Sequence, residues 1–242
     1  WRRIPEPHRP GYTMRIGDVT VDFLAHVCFR FVSPGGSSLL TDPLFADGFP
    51  WEGHRERYLS PPDVPLSAIE HCDALFVSHA HGDHCDVAAL LEIQRRTGAR
   101  IVAPAEALDL LREAGADASL LAEAAEAERF EFGDLALTTF GRYDDSRDEA
   151  GRPNKFSALI RSPGARMFYS GDCHEIPPGV RGAEVDAIFC WPHPDNAVLQ
   201  ELCAGLRARR FVIMHCDRFE PGDFYCNEDT AEQKLRIERL RP

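Results

Sequence analysis

The sequence predicts two β-sheets packed face to face with helices on the outside, a four-layer αββα sandwich. Three observations carry this expectation. Strand-and-turn patterns come first and give way to alternating strands and helices, and a similar order recurs in the second half. A length of 242 residues suits one large domain, 1–242, better than two independent ones. An apolar content of 44% can fill a sizeable core, and 27% charged residues is ordinary for a globular chain.

In chain order, Met14–Phe23 alternates around Ile16, Val19, Val21 and Phe23, and Val27–Val32 follows. Ser33-Pro34-Gly35-Gly36 is a turn signal, and Ser37–Thr41 is a short apolar strand ending at Asp42-Pro43. An antiparallel meander is therefore expected here. Residues 45–66 are rich in Pro, Gly and aromatics without a clear period, as in a functional loop. Ala74–Val77 has the composition of a buried strand. Helices are expected over Val87–Arg96, with Val87, Leu90, Leu91 and Ile93 on one face, and over Ala105–Glu113, closed by Gly115. Ile101–Ala103 is the strand between them. Past an Ala/Glu-rich stretch, strands are expected over Arg129–Phe132, Leu135–Phe140, Phe156–Arg161, Arg166–Tyr169 and Ala187–Cys190. A helix over Ala197–Leu206, a strand over Phe211–Met214 and an amphipathic helix over Thr230–Leu240 complete the reading.

Lys and Arg number 27 against 39 Asp and Glu, a formal charge of −12. That balance opposes a nucleic-acid partner, which needs a basic face. It leaves room for a small-molecule substrate, even an anionic one, because bound metal ions would be the largest local charges in a site. The longest apolar runs have strand length, so no integral membrane segment is expected. The eight cysteines form no CxxC pair in a chain long enough to rely on its core, so free thiols in a reducing cytoplasm are expected. The chain opens on Trp1, as a sequence lacking its native N-terminus would, and no leader pattern is visible in it.

His79-x-His81-x-Asp83-His84 puts four potential ligands into six residues, just past a strand and before a helix. Imidazole and carboxylate suit zinc, iron, nickel or manganese. In a tight loop, successive side chains can diverge to two neighbouring metals. Asp172 and His215 also follow apolar strands, and strand ends are where α/β folds gather reactive groups.

The run Ser78-His79-Ala80-His81-Gly82-Asp83-His84, then Ser170-Gly171-Asp172, then the late strand-end His215, resembles the metallo-β-lactamase superfamily. Leu40-Thr41-Asp42-Pro43-Leu44 and Asp83-His84-Cys85-Asp86 are similar to its branch of lactonases and N-acylphosphatidylethanolamine phospholipase-like proteins. The resemblance implies an αββα sandwich with the site at one edge, and two divalent metal ions, zinc first, with iron or manganese as alternatives. It implies His79 and His81 on the first metal, Asp83, His84 and His215 on the second, and Asp172 bridging. The implied chemistry is hydrolysis of an ester, lactone, amide or phosphodiester bond by a metal-activated water. Asp83 and Asp172 would be the catalytic carboxylates.

One departure stands out. The family supplies a third histidine to the first metal shortly before the strand that precedes Gly-Asp, and residues 139–147 contain none. Asp144 or Asp145 could replace it as an oxygen ligand, His174 or His193 could reach in from other loops, or the first site could be lost. An oxygen ligand favours a harder metal and motivates an alternative, a dinuclear iron or manganese centre with oxidative chemistry. Loss motivates a non-catalytic metal-binding domain. His26 is expected to lie on a strand as a hydrogen-bonded core histidine, and His8, His54 and His71 carry no specific signal. Cys85, Cys173 and Cys216 each adjoin a candidate ligand, yet neighbours of a ligand on an extended chain point away from it, so buried structural thiols are expected. Phe45, Phe49, Trp51 and Tyr58 are candidates to wall the substrate pocket, and Arg142, Arg147 and Lys155 to bind an anionic group.

Overall fold

The computed structural model describes residues 12–51, 53–59, 62, 64–141, 147–148, 150–173, 175–191, 201–202, 204–215 and 219–220. Its first sheet orders seven strands as β1 (Tyr12–Ile16), β2 (Val19–Ala25), β3 (Cys28–Val32), β4 (Ser38–Thr41), β7 (Ala74–Phe76), β8 (Arg100–Ala103) and β9 (Leu121–Glu123). The first four form the expected antiparallel meander, and β4, β7, β8 and β9 run parallel. Parallel neighbours need crossover connections, which α1 (Val87–Thr97) and α2 (Ala105–Glu113) supply for the last three strands.

The second sheet orders β10 (Arg129–Phe132), β11 (Leu135–Gly141), β12 (Phe156–Ser162), β13 (Ala165–Tyr169), β15 (Ala187–Cys190) and β17 (Phe211–Ile213). Beside it, β14 (Glu184–Val185) and β16 (Arg207–Ala208) pair in parallel. Two expectations need correction. The single strand over 14–23 is a hairpin, turned at Gly17-Asp18, where Gly17 takes the positive φ of 58° that such turns require. The period-less loop over 45–66 contains the hairpin of β5 (Gly48–Trp51) and β6 (His54–Tyr58), joined by β18 (Phe219–Glu220). It escapes the apolar-alternation test because the wholly buried position at the middle of β6 is Glu56, its carboxylate 2.8 Å from His54 Nε2. Glu201, Leu202, Ala204 and Gly205 are helical, as expected, while residues 192–200 and the expected tail helix over 230–240 lie outside the described residues.

Three buried layers separate the four structural ones. Between the sheets lie Phe29, Phe31, Phe76, Ile160, Met167 and Phe189 among others. Phe29 and Phe31 meet Phe189 edge-on at 4.8 and 5.2 Å between ring centroids. Each such buried ring contributes about 1.5–3 kcal/mol relative to exposure. Leu90, Ile93, Leu108 and Leu111 seal the helices onto the outer face of the first sheet. Leu202 and Leu206 cover Phe168 and Ile188 on the outer face of the second.

Two reciprocal clasps join the sheets. Asp134, in the β10–β11 turn, accepts from the Ser33 hydroxyl and, at 2.9 Å, from the Gly35 N–H. Asp18, in the β1–β2 turn, accepts from the Ser162 hydroxyl and, at 2.9 Å, from the Gly164 N–H. A Gly-Asp turn in each half thus grips a Ser-Pro-Gly turn in the other, which fixes the offset of the sheets. No helix among the described residues is long and apolar enough to cross a membrane.

Candidate metal centre

The centre forms where β4, β7, β13 and β17 end. Asp42 leaves β4 with φ 36°, its N–H still bonded to the Phe76 carbonyl at 2.8 Å. Its carboxylate is wholly buried and accepts from Ser78 N–H (2.6 Å), Ser78 Oγ (2.6 Å) and the Tyr169 hydroxyl (2.6 Å), with His84 Nδ1 at 2.7 Å. The Asp-Pro segment therefore anchors the histidine loop and orients His84, leaving Nε2 of that ring to face the centre. Ring orientation by a buried carboxylate is a recurrent feature of metal-binding histidines.

The loop itself is tight. The N–H groups of His84 and Cys85 both bond to the His81 carbonyl, at 3.0 and 2.9 Å. Asp86 then caps α1 by accepting from Ala89 N–H (3.1 Å) and holds Phe45 and Ala46 N–H at 3.0 and 2.8 Å. From the second half, Asp172 follows Gly171, whose φ is 52° and whose hypothetical Cβ would stand 2.8 Å from Ser78 Cβ. Only glycine allows that approach of the two strand ends.

These supports bring His79, Asp83, His84, Asp172 and His215 together. His84 Nε2 lies 3.2 Å from both Asp83 Oδ2 and Asp172 Oδ1, His79 Nε2 3.3 Å from Asp172 Oδ2, and His215 Nε2 3.0 Å from Asp83 Oδ2. His81 is exposed, its ring 4.4 Å from that of His79. Lys155 Nζ stands 3.7 Å from Asp172 Oδ2. Asp144, Asp145, His174, His193, Arg142 and Cys216 lie outside the described residues. Arg147 is exposed and donates to the Gly151 carbonyl. Phe49 and Tyr58 are buried in one cluster with Ala25 and Leu44.

His26 is a buried, hydrogen-bonded histidine, as expected, and only its placement needs correction. It sits in the β2–β3 turn, not on a strand, with φ 48° and no exposure, and its Nε2 is 3.4 Å from Asp83 Oδ2. The signal that could have found it is its place at the reversal between two strands that lead into the Asp-Pro segment.

Burial works against every charge in this centre. It is the main influence on His79, pushed down to about 4, with His84 adding to the effect. His215 is lowered by burial and by its neighbour His26. Burial pulls the Asp83 carboxyl upward, yet His84 and hydrogen bonds from His215 and His26 hold it well below the usual range. Asp172 is held low against burial by His84, His79 and His215. His84 alone rises well above its ordinary value, since Asp83, Asp172 and Asp42 outweigh burial. Neutral imidazoles at His79 and His215 beside ionised carboxylates are the protonation states that metal binding requires.

The residues fit a metal. His79 Nε2, His84 Nε2 and Asp83 Oδ1 are buried without hydrogen-bond partners. Two sets, His26 with Asp83 and His215, and His79 with His84 and Asp172, each bring three potential ligand atoms within 4.8 Å of one another. Of the adjoining thiols, Cys85 and Cys173 belong to neither set. Cys85 and Cys173 are buried, as expected. Burial pushes the thiols of Cys72 and Cys85 up to about 12 and that of Cys28 higher still. The thiolate is the nucleophile, so iodoacetamide at pH 8 is expected to spare Cys28, Cys72 and Cys85 in the folded protein and modify them after denaturation. Peptide mapping by mass spectrometry checks this.

Comparison with known proteins agrees with this geometry. A UPF0173 metal-dependent hydrolase of Rubrobacter xylanophilus is 26% identical over 239 residues, covering 93% of this chain and 90% of that protein. The isothiocyanate hydrolase from Delia radicum gut bacteria aligns with a TM-score of 0.61 at 16% identity, over 90% of this chain and 94% of that one. YhfI of Bacillus subtilis, a metallo-β-lactamase fold protein, aligns at 0.58 and 14% identity, over 90% and 86%. At such identities the two structures share the fold alone. Two packed sheets with a histidine–aspartate centre at their edge define the class, the metallo-β-lactamase superfamily of enzymes. The chain belongs to the β-lactamase superfamily domain family, whose model matches residues 38–216.

Proposed function

We propose that the protein is a metal-dependent hydrolase that cleaves an ester, lactone, amide or phosphodiester bond of a small-molecule substrate. The observation that carries this reading is the trio of buried atoms without hydrogen-bond partners, His79 Nε2, His84 Nε2 and Asp83 Oδ1, in one centre with Asp172 and His215. Each such group left unsatisfied costs about 1–3 kcal/mol, and a bound cation removes that cost. The relative from Rubrobacter xylanophilus, matched over most of both chains, is named a metal-dependent hydrolase, with no bond specified.

His79, Asp83, His84, Asp172 and His215 would hold a divalent ion, zinc first with iron or manganese as alternatives, which would supply Lewis acidity and lower the pKa of a water from 15.7 to about 7. The chain's own residues do the rest. Asp83 and Asp172 neutralise and orient, the Asp42 carboxylate fixes the His84 ring, and burial keeps bulk water from the ligand atoms. Lys155, its side chain 19% exposed beside Asp172, offers a cation to an anionic group of the substrate. The five free, buried thiols among the described residues suit a reducing cytoplasm.

Elemental analysis of protein purified without added metal, paired with anaerobic assays on esters, lactones, amides and phosphodiesters, tests the reading. Near two metal equivalents and chelator-sensitive hydrolysis without oxygen are expected. Turnover that requires oxygen would overturn it, and so would full metal loading with every substrate untouched.

A further inference from the structure

We propose that a groove on the outer face of the second sheet, lined by Arg161 and Arg166, binds a small molecule through its phosphate group. The proposal goes beyond the metal-dependent hydrolysis above and does not rest on it.

The strand register places the two arginines. Leu159 pairs with Phe168 across β12 and β13, and both belong to the apolar cluster on the outer face of the sheet. Arg161 and Arg166 lie two residues further along the same strands, directly opposite one another, and therefore share that face. Arg129 reaches the same face from β10, where its neighbour Phe130 turns inward to the inter-sheet core. The position beside Arg161 on β11 is Ala136, whose short side chain leaves room. The result is a cavity of about 560 Å³, a size typical of small-molecule sites.

Charge makes this groove unlike the rest of the surface. The chain carries a formal charge of −12, yet two arginines stand face to face, and like charges directly opposite across a sheet destabilise it. Neither guanidinium forms an ion pair among the described residues, and Arg161 Nε is buried without a hydrogen-bond partner. Burial, then the charges of Arg166 and Arg129, push the Arg161 guanidinium down from its ordinary value. The acids nearby are already engaged. Asp134 grips Ser33 and Gly35, Asp186 accepts from the Arg166 N–H at 3.0 Å with Arg209 at 3.5 Å, and Glu184 pairs with Arg207 at 3.6 Å.

An anion is what this arrangement lacks. A carboxylate has two oxygens, which one guanidinium fork already satisfies. A phosphate has oxygens enough for two forks, and Arg matches its geometry in a bidentate way. Arg129 is held only by an exposed pair with Glu131 at 3.0 Å, a kind of pair that is weak, so it is free to swing toward a bound phosphate. The four steps from Ala165 to Tyr169 span about 13 Å of strand before the chain reaches Asp172. A phosphate bound at the groove is therefore not at the metal centre.

Calorimetric titration of the metal-loaded full chain at low ionic strength tests the proposal, with inorganic phosphate and glucose 6-phosphate as probes and citrate as the carboxylate control. Arg161→Gln and Arg166→Gln each remove one groove charge, with folding checked by circular dichroism. Arg95→Gln removes the same charge from the exposed face of α1. The parent and Arg95→Gln are expected to bind phosphate alike, and each groove variant at least about tenfold more weakly. Phosphate held by the metal ions would respond to neither groove substitution, so the two sites separate. Tighter binding of glucose 6-phosphate than of phosphate supports an ester ligand, and equal binding supports the free ion. No binding by the parent, parental affinity in either groove variant, an equal loss in Arg95→Gln, or citrate bound as tightly as phosphate would each overturn the proposal.

Discussion

Asp172→Ala is expected to reduce turnover to below about a thousandth of the parent value, a loss of about 4 kcal/mol of transition-state stabilisation. Asp172 reaches more partners at the centre than any strand-end residue beside it. Its oxygens lie 3.3 Å from His79, 3.2 Å from His84, 3.6 Å from His215 and 3.7 Å from Lys155. Removing the carboxylate leaves those donors facing one another across a gap, so metal content should fall together with activity. The fold should survive, because Asp172 lies past the last pair of β13 and the inter-sheet core does not depend on it. Steady-state kinetics, elemental analysis and circular dichroism on one preparation decide the matter. Retained turnover with reduced metal would sink the role given to this residue.

Asp42 offers the second large effect, and it separates stability from chemistry. Asp42→Ala strips acceptors from Ser78, Tyr169 and His84 at a point with no solvent to replace them. Breaking one partner out of a buried charged network costs about 3–5 kcal/mol, so a large fall in the denaturant midpoint is expected. Asp42→Asn keeps the volume and suits φ 36°, since asparagine tolerates the left-handed region. It turns one oxygen into a donor, which faces the Tyr169 hydroxyl or the His84 ring. Metal affinity is expected to fall about 10–100-fold, with a smaller loss of stability than in the alanine variant. Equal metal affinity in the asparagine variant and the parent would show that the ring of His84 is oriented by packing alone.

The reading of the chain succeeded where local pattern suffices. Apolar spacing on one face marked α1, and the short strand Ala74–Phe76 pointed directly at the histidine run. His79, Asp83, His84, Asp172 and His215 were legible because each stands two to eight residues past a strand, and the first three share one dense motif. It failed where the pattern was broken by a charge or a reversal. The β5–β6 hairpin hid behind buried Glu56, and the alternation from Met14 to Phe23 ran through Gly17-Asp18 without revealing a turn.

What the sequence determined by itself was therefore the kind of chemistry: imidazoles and carboxylates at strand ends, in an order set along the chain. Only the tertiary structure decided which of them share an oxygen. His26 is 57 residues from Asp83 and 189 from His215, and no periodicity links positions so distant. Their meeting follows from the stacking of two sheets and from the backbone bond between a turn in one and a strand end in the other. Contacts of that range depend on the sheets' offset, which the Asp18 and Asp134 clasps fix, and not on any local preference for helix or strand.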